Sequence, residues 1–339
     1  MSFQVTIQPS KHKFAAEAGQ TVLGAAMDAG FTLPYGCRNG ACGACKGKVL
    51  EGTVDHGKYQ PQALSDDEKR TGLALFCCAT PLSDLTIECR EVSTSGSIQP
   101  KIMPCRVQKM ERLAHDVIAL HLKLPGNERM QFLAGQYIEF LLKDGKRRAF
   151  SLANAPHDDE LLEVHVRYVA GGQFTEYVFN EMQEKAILRI EGPLGSFYLR
   201  EESDRPIIFI AGGTGFAPIK GIIEHALHLG IKREMVLYWG AHALRDLYMN
   251  ELPQQWAAAY PHLKYVPVLS HPSPEDAWTG RTGLVHEAVL ADYADISGYE
   301  VYCCGAPQMV EAAHIGFTAR GLPEGEFFSD AFTFAPKGK

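Results

Sequence analysis

Three closely spaced cysteines constrain the fold of this chain more than any other feature of its sequence. Cys37, Cys42 and Cys45 lie in a glycine-rich segment with four and two residues between them, and Cys77 follows after another thirty-one. This is the spacing with which plant-type [2Fe–2S] clusters are ligated. A loop that aims three thiolates inward, and lets backbone N–H groups approach the sulfides, has no room for bulky residues. The sequence therefore predicts a [2Fe–2S] cluster held by these three cysteines and by a fourth from the distant pair Cys77 and Cys78.

Two other kinds of site use a Cys-x2-Cys pair such as Cys42 and Cys45. Structural zinc sites bring a second short pair of ligands, and thioredoxin-like dithiols follow a strand and open a helix. Neither context accompanies this pair in the sequence. Cysteines that are simply buried do not usually gather three within nine residues among glycines. The iron–sulfur interpretation is therefore favoured over zinc, a redox dithiol and inert burial.

The segment around the fourth cysteine, residues 75–84, closely resembles the ligand segment of plant-type ferredoxins. Cys77 and Cys78 are both present, and the positions of Pro81 and Asp84 favour Cys77 as the ligand. The resemblance implies that the N-terminal part is an α+β ferredoxin domain of the β-grasp type. The other cysteines are interpreted as small hydrophobic core residues: Cys78, Cys89, Cys105 and Cys303.

Composition places the chain among multidomain proteins of a reducing compartment. Its 339 residues, 46% of them hydrophobic, suffice for two or three domains. We expect a cytoplasmic protein, because neither a signal peptide nor an apolar run long enough to span a bilayer is evident. Nine cysteines then indicate metal ligation or free thiols. A net charge of −7 argues against a nucleic-acid partner.

The order of hydrophobic patterns predicts three domains. Residues 1–92 form the small α+β unit, and the polar, small-residue segment 93–103 is a linker. Residues 104–200 contain evenly spaced short alternating segments, which predict an antiparallel β-barrel. Residues 201–339 alternate apolar strands with helical stretches, as in an α/β domain with a parallel sheet.

Four predicted elements test these patterns most directly. In the first domain we expect a helix over Thr21–Ala29, with Thr21 as N-cap, and a strand over Leu73–Cys77. The barrel should open with a strand over Cys105–Lys109, and the third domain should place its first helix at Pro218–Leu229.

Residues 147–152 and 171–175 resemble the two flavin signatures of the ferredoxin–NADP reductase family. The resemblance implies that Arg148 binds the FAD pyrophosphate, which suits a permanently charged, forked guanidinium. Phe150 would lie against the isoalloxazine, where the family more often has tyrosine. Ser151 would act at the reactive edge of the flavin. The motif thus predicts an FAD site on one barrel strand.

The second flavin signature consists of Gly171, Gly172 and Thr175. We expect the two glycines to open a helix whose N-terminal amides, together with the Thr175 hydroxyl, receive the pyrophosphate. Taken alone, each signature also fits an ordinary strand residue or hairpin. Because the two signatures occur in the family's order within one predicted barrel, together they support FAD binding more strongly than either does alone.

The third domain opens with a strand that runs into the turn Gly212-Gly213-Thr214-Gly215. Such a turn before a helix brings backbone N–H groups to a nucleotide pyrophosphate. It matches the Gly-Gly-Thr-Gly-x-x-Pro version of the reductase family. Further on, Cys304-Gly305 resembles the family segment beside the nicotinamide ring, so Cys304 is a candidate catalytic residue, with burial in the core as the alternative.

The end of the chain and the turn after the second strand add weaker predictions. By resemblance, Asp330 and Phe332 belong to the closing strand, where an acidic and an aromatic side chain approach the flavin. A 2′-phosphate would need basic neighbours, and only His242 and Arg245 are candidates. We therefore expect NADH, with NADPH as the alternative.

Together the motifs cover nearly the whole chain and resemble ferredoxin-containing NADH reductases. This resemblance implies hydride transfer from NADH to FAD and delivery of single electrons through the cluster to a partner protein. An oxygenase or hydroxylase is the expected acceptor. The alternative acceptor is a pyridoxamine-dependent dehydratase of deoxysugar synthesis, served by a CDP-6-deoxy-3,4-glucoseen reductase. A non-catalytic electron carrier or redox regulator is the alternative of another class, and we expect a monomer.

Overall fold

The computed structural model describes residues 2–89, 98–126 and 128–332. Residues 93–97 of the predicted linker lie outside these ranges. Two compact units are formed, one containing residues 1–99 and the other residues 100–330. The second unit contains both the barrel and the parallel sheet, so these two predicted domains pack together.

The first unit is an α+β fold built on a mixed sheet. Its five-stranded sheet has the order β2-β1-β7-β3-β5, in which β1 and β7 are parallel and the other pairs antiparallel, and β4 pairs with β6. The elements are β1 (Ser2–Gln8), β2 (Lys13–Glu17), α1 (Val22–Asp28), β3 (Lys46–Glu51), β4 (Val54–Asp55), α2 (Asp66–Arg70), β5 (Leu73–Leu75), β6 (Thr80–Pro81) and β7 (Leu85–Glu88).

Helix α1 confirms the predicted helix, and its N-cap is Thr21, whose side chain accepts a hydrogen bond from the Gly24 N–H at 3.1 Å. The predicted strand Leu73–Cys77 was too long. It ends at Leu75, because the carbonyl of that residue accepts the N–H groups of Cys78 and Ala79 and turns the chain. Cys77 therefore lies in a turn after the strand, where its side chain is no longer tied to the alternation of a sheet.

The middle of the chain is an antiparallel barrel of six strands. Their order is β11-β10-β13-β8-β9-β12, and a bridge between Leu152 and Val164 joins the two outer strands. The elements are β8 (Lys101–Ala114), β9 (Val117–Lys123), β10 (Tyr137–Leu141), β11 (Arg147–Ser151), β12 (Leu162–Arg167), α3 (Gln173–Asn180) and β13 (Ile187–Leu194).

The opening strand of the barrel differs from the prediction Cys105–Lys109. Strand β8 runs for 14 residues from Lys101 and so begins inside the predicted linker. The register shifts between Val107 and Lys109 and again between Arg112 and Ala114. These irregularities bend the strand around the barrel. They also interrupt the alternation of apolar and polar residues, so the pattern in the sequence covers only part of the strand.

The last part of the chain is a six-stranded sheet of order β17-β16-β15-β14-β18-β19, parallel from β17 to β18. Its elements are β14 (Ile207–Gly212), α4 (Phe216–His228), β15 (Met235–Ala241), α5 (Glu251–Ala259), β16 (Leu263–Leu269), β17 (Arg281–Thr282), α6 (Val285–Asp292), β18 (Glu300–Gly305), α7 (Pro307–Thr318) and β19 (Phe327–Ala331).

Strand β14 is the point at which the strand order reverses, since β15 lies on one side of it and β18 on the other. Ligands of open parallel sheets bind at the carboxyl ends of such strands. There the chain makes a 3-10 turn over Gly213–Gly215 and enters α4 directly at Phe216. The predicted helix start at Pro218 was two residues late, because proline is tolerated in the first turn and does not mark its beginning.

Among the described residues, no helix combines the length and the apolar character needed to cross a membrane.

Candidate functional site

The cysteine loop places backbone donors on its own sulfurs. The Cys37 sulfur accepts the N–H groups of Ala41 and Cys42, and the Cys42 sulfur accepts the N–H of Cys37, each at 3.3 Å. Such donors favour the negative charge of a thiolate. They hold the pKa of Cys37 down at about 6, together with a hydrogen bond from the Cys42 thiol, which is the largest contribution.

Two glycines make this loop possible. Gly40 and Gly43 have φ values of +73° and +77°, a region that other residues enter at a cost. A Cβ on Gly40 would also lie 2.7 Å from the Cys78 sulfur and 2.9 Å from the Tyr59 Cα. The predicted need for small residues in the loop is thus a matter of both backbone conformation and space.

The four predicted ligands are brought together as two pairs. The thiols of Cys37 and Cys42 influence each other's ionisation, and the neighbouring Cys45 raises the pKa of Cys77 to about 12. Two pairs of sulfurs suit a two-iron cluster, in which each iron takes two protein ligands. The donor set fits a [2Fe–2S] cluster.

Cys78 stands next to this arrangement, with its sulfur 3.6 Å from that of Cys77. Cys77 is 8% exposed, whereas Cys78 is only partly buried. Cys105 and Cys303 are buried, as predicted for core residues, but the same prediction was wrong for Cys78 and Cys89, which are partly exposed. Cys78 lies in the turn after β5, and Cys89 lies just beyond the end of β7.

The flavin motif lies on β11, whose pleat sets Arg148 and Phe150 on one face and Ser151 on the other. Phe150 packs against Phe140 and Phe174, with ring centroids 5.6 and 5.4 Å apart. The partly exposed ring is therefore fixed at the barrel surface, where a flavin could rest against it.

The two arginines of this motif differ in what holds them. Arg147 forms ion pairs with Glu139 and Glu191. Arg148 is half-buried and donates a hydrogen bond to the Arg147 carbonyl at 2.8 Å. A guanidinium already paired with two carboxylates has little to offer a phosphate, so Arg148 is the better placed of the two.

The second flavin signature opens α3 as predicted, with Gly172 as N-cap and Gly171 at φ +75°. A Cβ on Gly172 would lie 2.6 Å from the Thr175 hydroxyl. This hydroxyl is held at the carbonyls of Val169 and Gly172, at 3.1 and 3.0 Å, and it accepts the Val169 N–H. Thr175 therefore shapes the turn, and the first-turn amides of α3 are the groups suited to a phosphate.

Ser151 and Asp330 meet although 179 positions separate them. The Ser151 hydroxyl donates to the Asp330 carboxylate at 3.3 Å. Asp330 lies on β19 at the edge of the parallel sheet, and Ser151 is 6% exposed at the end of β11. Burial raises the pKa of the Cys304 thiol, and the nearby Asp330 carboxylate raises it further. The three predicted catalytic residues are thus gathered at one place, with Cys304 as an un-ionised thiol.

The glycine-rich turn packs directly on the strand that carries Cys304. A Cβ on Gly215 would lie 2.0 Å from the Cys304 carbonyl oxygen, and one on Gly305 would lie 3.1 Å from the Gly212 Cα. The Trp239 indole N–H donates to the Gly213 carbonyl at 3.0 Å. These contacts fix the turn while its amides stay at the start of α4, as pyrophosphate binding requires. Thr214 is half-buried in the same turn.

One residue near this turn was not predicted. Arg167, at the end of barrel strand β12, reaches the glycine-rich turn so closely that a Cβ on Gly213 would lie 2.6 Å from its guanidinium. Its Nε is 3.1 Å from the carboxylate of Asp116. The sequence signal was weak, because nothing in the sequence around an arginine at a strand end indicates that it contacts a turn of the next domain.

The candidates for cofactor preference lie after β15. Arg245 is exposed, and its Nε lies 3.9 Å from the carboxylate of Asp246. His242 is exposed and lies within 3.2 Å of the Ser270 hydroxyl. Phe332, the last predicted cofactor residue, is half-buried just beyond β19, and its role stays a prediction.

Three family models match the chain in the predicted order. They are a 2Fe-2S iron-sulfur cluster binding domain at residues 5–82, an oxidoreductase FAD-binding domain at residues 104–198 and an oxidoreductase NAD-binding domain at residues 209–314.

Several known proteins are similar over nearly their full lengths. The CDP-6-deoxy-L-threo-D-glycero-4-hexulose-3-dehydrase reductase of Yersinia pestis is 40% identical over 98% of this chain and 99% of its own length. The phenol 2-monooxygenase reductase component DmpP of Pseudomonas sp. (strain CF600) is 37% identical over 100% and 96%. The crystal structure of Amycolatopsis cytochrome P450 reductase GcoB is 34% identical, with a TM-score of 0.79 over 97% of this chain and 98% of that one.

Proposed function

This chain belongs to the family of ferredoxin-containing NADH reductases related to ferredoxin–NADP reductase, and from that premise we propose how its own residues divide the work. It is an NAD(P)H-dependent oxidoreductase that transfers electrons to a partner protein. When bound, the nicotinamide supplies a hydride, the flavin divides the electron pair and the [2Fe–2S] cluster passes electrons on singly. The alternative of a non-catalytic carrier has less support, because the full-length relatives are named as reductases.

We assign the cluster ligands to Cys37, Cys42, Cys45 and Cys77. The backbone N–H donors in the loop and the closeness of Cys77 to Cys45 support this assignment. The N–H groups offset part of the negative charge that the thiolates and sulfides bring. The loop is partly exposed, which suits a group that must exchange electrons with another protein.

For FAD we assign Arg148, Phe150 and the turn of Gly171 and Gly172 as binding residues, with Thr175 holding that turn. For NADH we assign the glycine-rich turn 212–215. The guanidinium and the helix-start amides offset phosphate charge, and the aromatic ring offers a flat apolar surface.

The observation that carries the proposed hydride site is the hydrogen bond between Ser151 and Asp330, with Cys304 beside it. Ser151 ends a flavin-binding strand, whereas the other two residues belong to the parallel sheet. The Ser151 hydroxyl can bond to the flavin edge while Asp330 orients it. The buried Cys304 thiol limits the space at the nicotinamide side. Gly305 lets the chain turn away after it.

Anaerobic mixing of the purified holoprotein with NADH tests this function. We expect bleaching of the flavin absorbance, followed by appearance of the reduced-cluster EPR signal. With ferricyanide or cytochrome c present, NADH should be consumed continuously. A protein that binds flavin and cluster but shows no NADH-dependent bleaching would contradict the proposal.

We further propose NADH as the preferred donor. The carboxylate of Asp246 offsets the charge of Arg245, which leaves little positive charge for a 2′-phosphate. The ratio of kcat/KM for NADH to that for NADPH should exceed roughly ten, a difference of about 1.4 kcal/mol. A ratio near one or below would reverse the proposed preference.

An oxygenase or hydroxylase component is the proposed acceptor, since reductase components of phenol 2-monooxygenase and of a cytochrome P450 system are similar over nearly the full chain. A dehydrase acting on a CDP-linked deoxyhexulose is the second candidate, favoured by the 40% identity to the reductase from Yersinia pestis. Reduction of purified acceptors of each class by this protein and NADH, followed at equal concentration, would separate the two.

None of the nine cysteines, all of which lie among the described residues, forms a disulfide, which fits the proposed cytoplasmic location because reducing compartments disfavour disulfides. We also propose that the protein acts as a monomer, which a mass measurement in solution would check.

A further inference from the structure

A group of buried and partly buried residues, which includes the charged side chains of Lys220 and Glu163, joins the barrel to helix α4 and is not part of the site described above. We call it the seam and define it as residues 152–154, Glu163, Lys220 and Gly221. Lys220 is 6% exposed, and its Nζ donates to the Ala153 carbonyl and to the Glu224 carboxylate, both at 3.1 Å. The Glu163 carboxylate lies 3.6 Å away.

The backbones of the two domains touch beside this lysine. A Cβ on Gly221 would lie 2.8 Å from the Asn154 carbonyl oxygen and 3.4 Å from that of Leu152. Gly221 lies inside α4 and needs no positive φ, so what it provides here is space. Any larger side chain would push α4 away from the barrel strand.

The barrel side of the seam is itself rigid. Asn154 is 3% exposed, and its side-chain amide donates to the carbonyls of Asp158 and Leu161 and accepts the Glu163 N–H. Glu163 lies 2.7 Å from the buried His165, which in turn reaches the Tyr248 hydroxyl at 2.9 Å. Burial opposes ionisation of Glu163, but His165 and Lys220 hold its pKa down at about 2.

Chain position links the seam to the chemistry. Ala153 lies two residues beyond Ser151, and Lys220 lies five residues beyond Gly215 on the helix that the glycine-rich turn opens. The contact between Lys220 and Ala153 is thus a short connection between the flavin-binding strand and the nucleotide-binding turn.

Stability alone does not account for a buried ammonium at this position. Removing charges from water is costly, and a well-packed apolar side chain is often as stable as a buried ion pair. A lysine that donates to one particular carbonyl does something an apolar residue cannot, since it fixes direction as well as distance.

We propose that Lys220 and Gly221 are positioning residues for hydride transfer, which set how closely the nicotinamide bound at the glycine-rich turn approaches the flavin beside Ser151. The inference rests on the proposed function and adds two residues to it. Small displacements of reacting groups cost large factors in rate, so the seam should act on the transfer step more than on binding.

Stopped-flow reduction of bound FAD by saturating NADH tests the seam in Lys220→Met and Gly221→Ala, with Lys264→Met and Gly298→Ala as matched controls. Lys264 is exposed, and a Cβ on Gly298 would meet nothing within 4 Å. Per bound FAD, we expect the rate to fall roughly tenfold or more in both seam variants, with the NADH Kd changed by less than about threefold. The controls should match the wild type.

Two further measurements separate positioning from loss of structure. The double variant Lys220→Met/Glu224→Gln also neutralises the carboxylate that loses its lysine partner in the single variant, so it should fold while transfer stays slow. Hydrogen exchange, measured without NADH, should become faster in α4 and in residues 152–154 of the seam variants only.

The inference is overturned if both seam variants reduce their bound FAD at the wild-type rate. Should the single variants not fold, the same result in the double variant overturns it. A Kd that rises as much as the rate falls would do so as well, since it would indicate a binding role. If the wild-type protein itself fails to reduce its flavin with NADH, the proposed function fails, and this outcome is distinct from failure of the seam.

Discussion

The cysteine loop and the Ser151 site are built in opposite ways. Three of the four proposed cluster ligands lie within nine residues, and the loop's own N–H groups bond to their sulfurs. Ser151 and Asp330 are separated by 179 positions, and the strands that carry them belong to different sheets. One site is specified by a short segment, whereas the other exists only after two domains have packed.

This difference predicts different responses to mutation. A locally built site should lose its own function without disturbing distant steps, because few other residues depend on it. A site assembled from packed domains should be sensitive to changes that touch no cofactor, as proposed for the seam. The following predictions test this contrast, from the largest expected effect to the smallest.

The most decisive change is Cys77→Ser, compared with Cys78→Ser. Loss of a ligand should abolish cluster assembly and reduce NADH-dependent cytochrome c reduction by roughly 100-fold, while flavin reduction stays within about twofold. Cys78→Ser should keep the EPR signal and both activities. Equal loss in the two variants, or equal loss of both activities, would show that the cluster is not a locally independent site.

At the assembled site, Ser151→Ala should slow NADH-dependent flavin reduction roughly 10- to 100-fold. Asp330→Asn should have a smaller effect in the same direction, because it keeps the shape but weakens the hydrogen bond to Ser151. The double variant should be no slower than Ser151→Ala. Fully additive losses, measured by stopped flow, would mean that the two residues act separately.

Arg167 tests whether a barrel residue helps to bind the nucleotide. Because its guanidinium lies against the glycine-rich turn, Arg167→Met should weaken NADH binding about tenfold, and the loss should shrink at high salt. Titration by fluorescence quenching measures the Kd. Arg189→Met, at an exposed position on β13, serves as the control and should bind NADH normally.

The smallest expected effect concerns pH and Glu163. Its pKa of about 2 lies below the value of 4.5 expected in the unfolded chain. The stability from its ionised form is therefore complete above about pH 4.5 and is lost as the pH falls towards 2. Between pH 6 and pH 4, the free energy of unfolding measured in urea should fall by about 1 kcal/mol more in the wild type than in Glu163→Gln.

Exposed Glu287→Gln is the matched control for this measurement and should keep the wild-type pH dependence. If Glu163→Gln shows the wild-type pH dependence of stability, the Glu163 carboxylate does not contribute to the loss of stability in acid.

Sequence reasoning was most successful where short-range geometry dominates. The N-cap at Thr21, the opening of α3 at Gly172 and the 3-10 turn before α4 all occur at the expected motifs. It was less successful at ends of elements, as for β5, which stops at Leu75, and β8, which begins at Lys101. Turn hydrogen bonds and register shifts decide these ends, and neither leaves a periodic pattern.

The sequence by itself determined the order of the three domains, the spacing of the cluster cysteines and the glycines that the turns require. These features follow from backbone dihedral limits and from distances that a few residues can span. The tertiary structure alone decided that Cys77 would meet Cys45, that Asp330 would reach Ser151 and that Arg167 and Lys220 would join barrel and sheet. Such meetings depend on how whole sheets pack, a sum over many weak contacts that no single segment encodes.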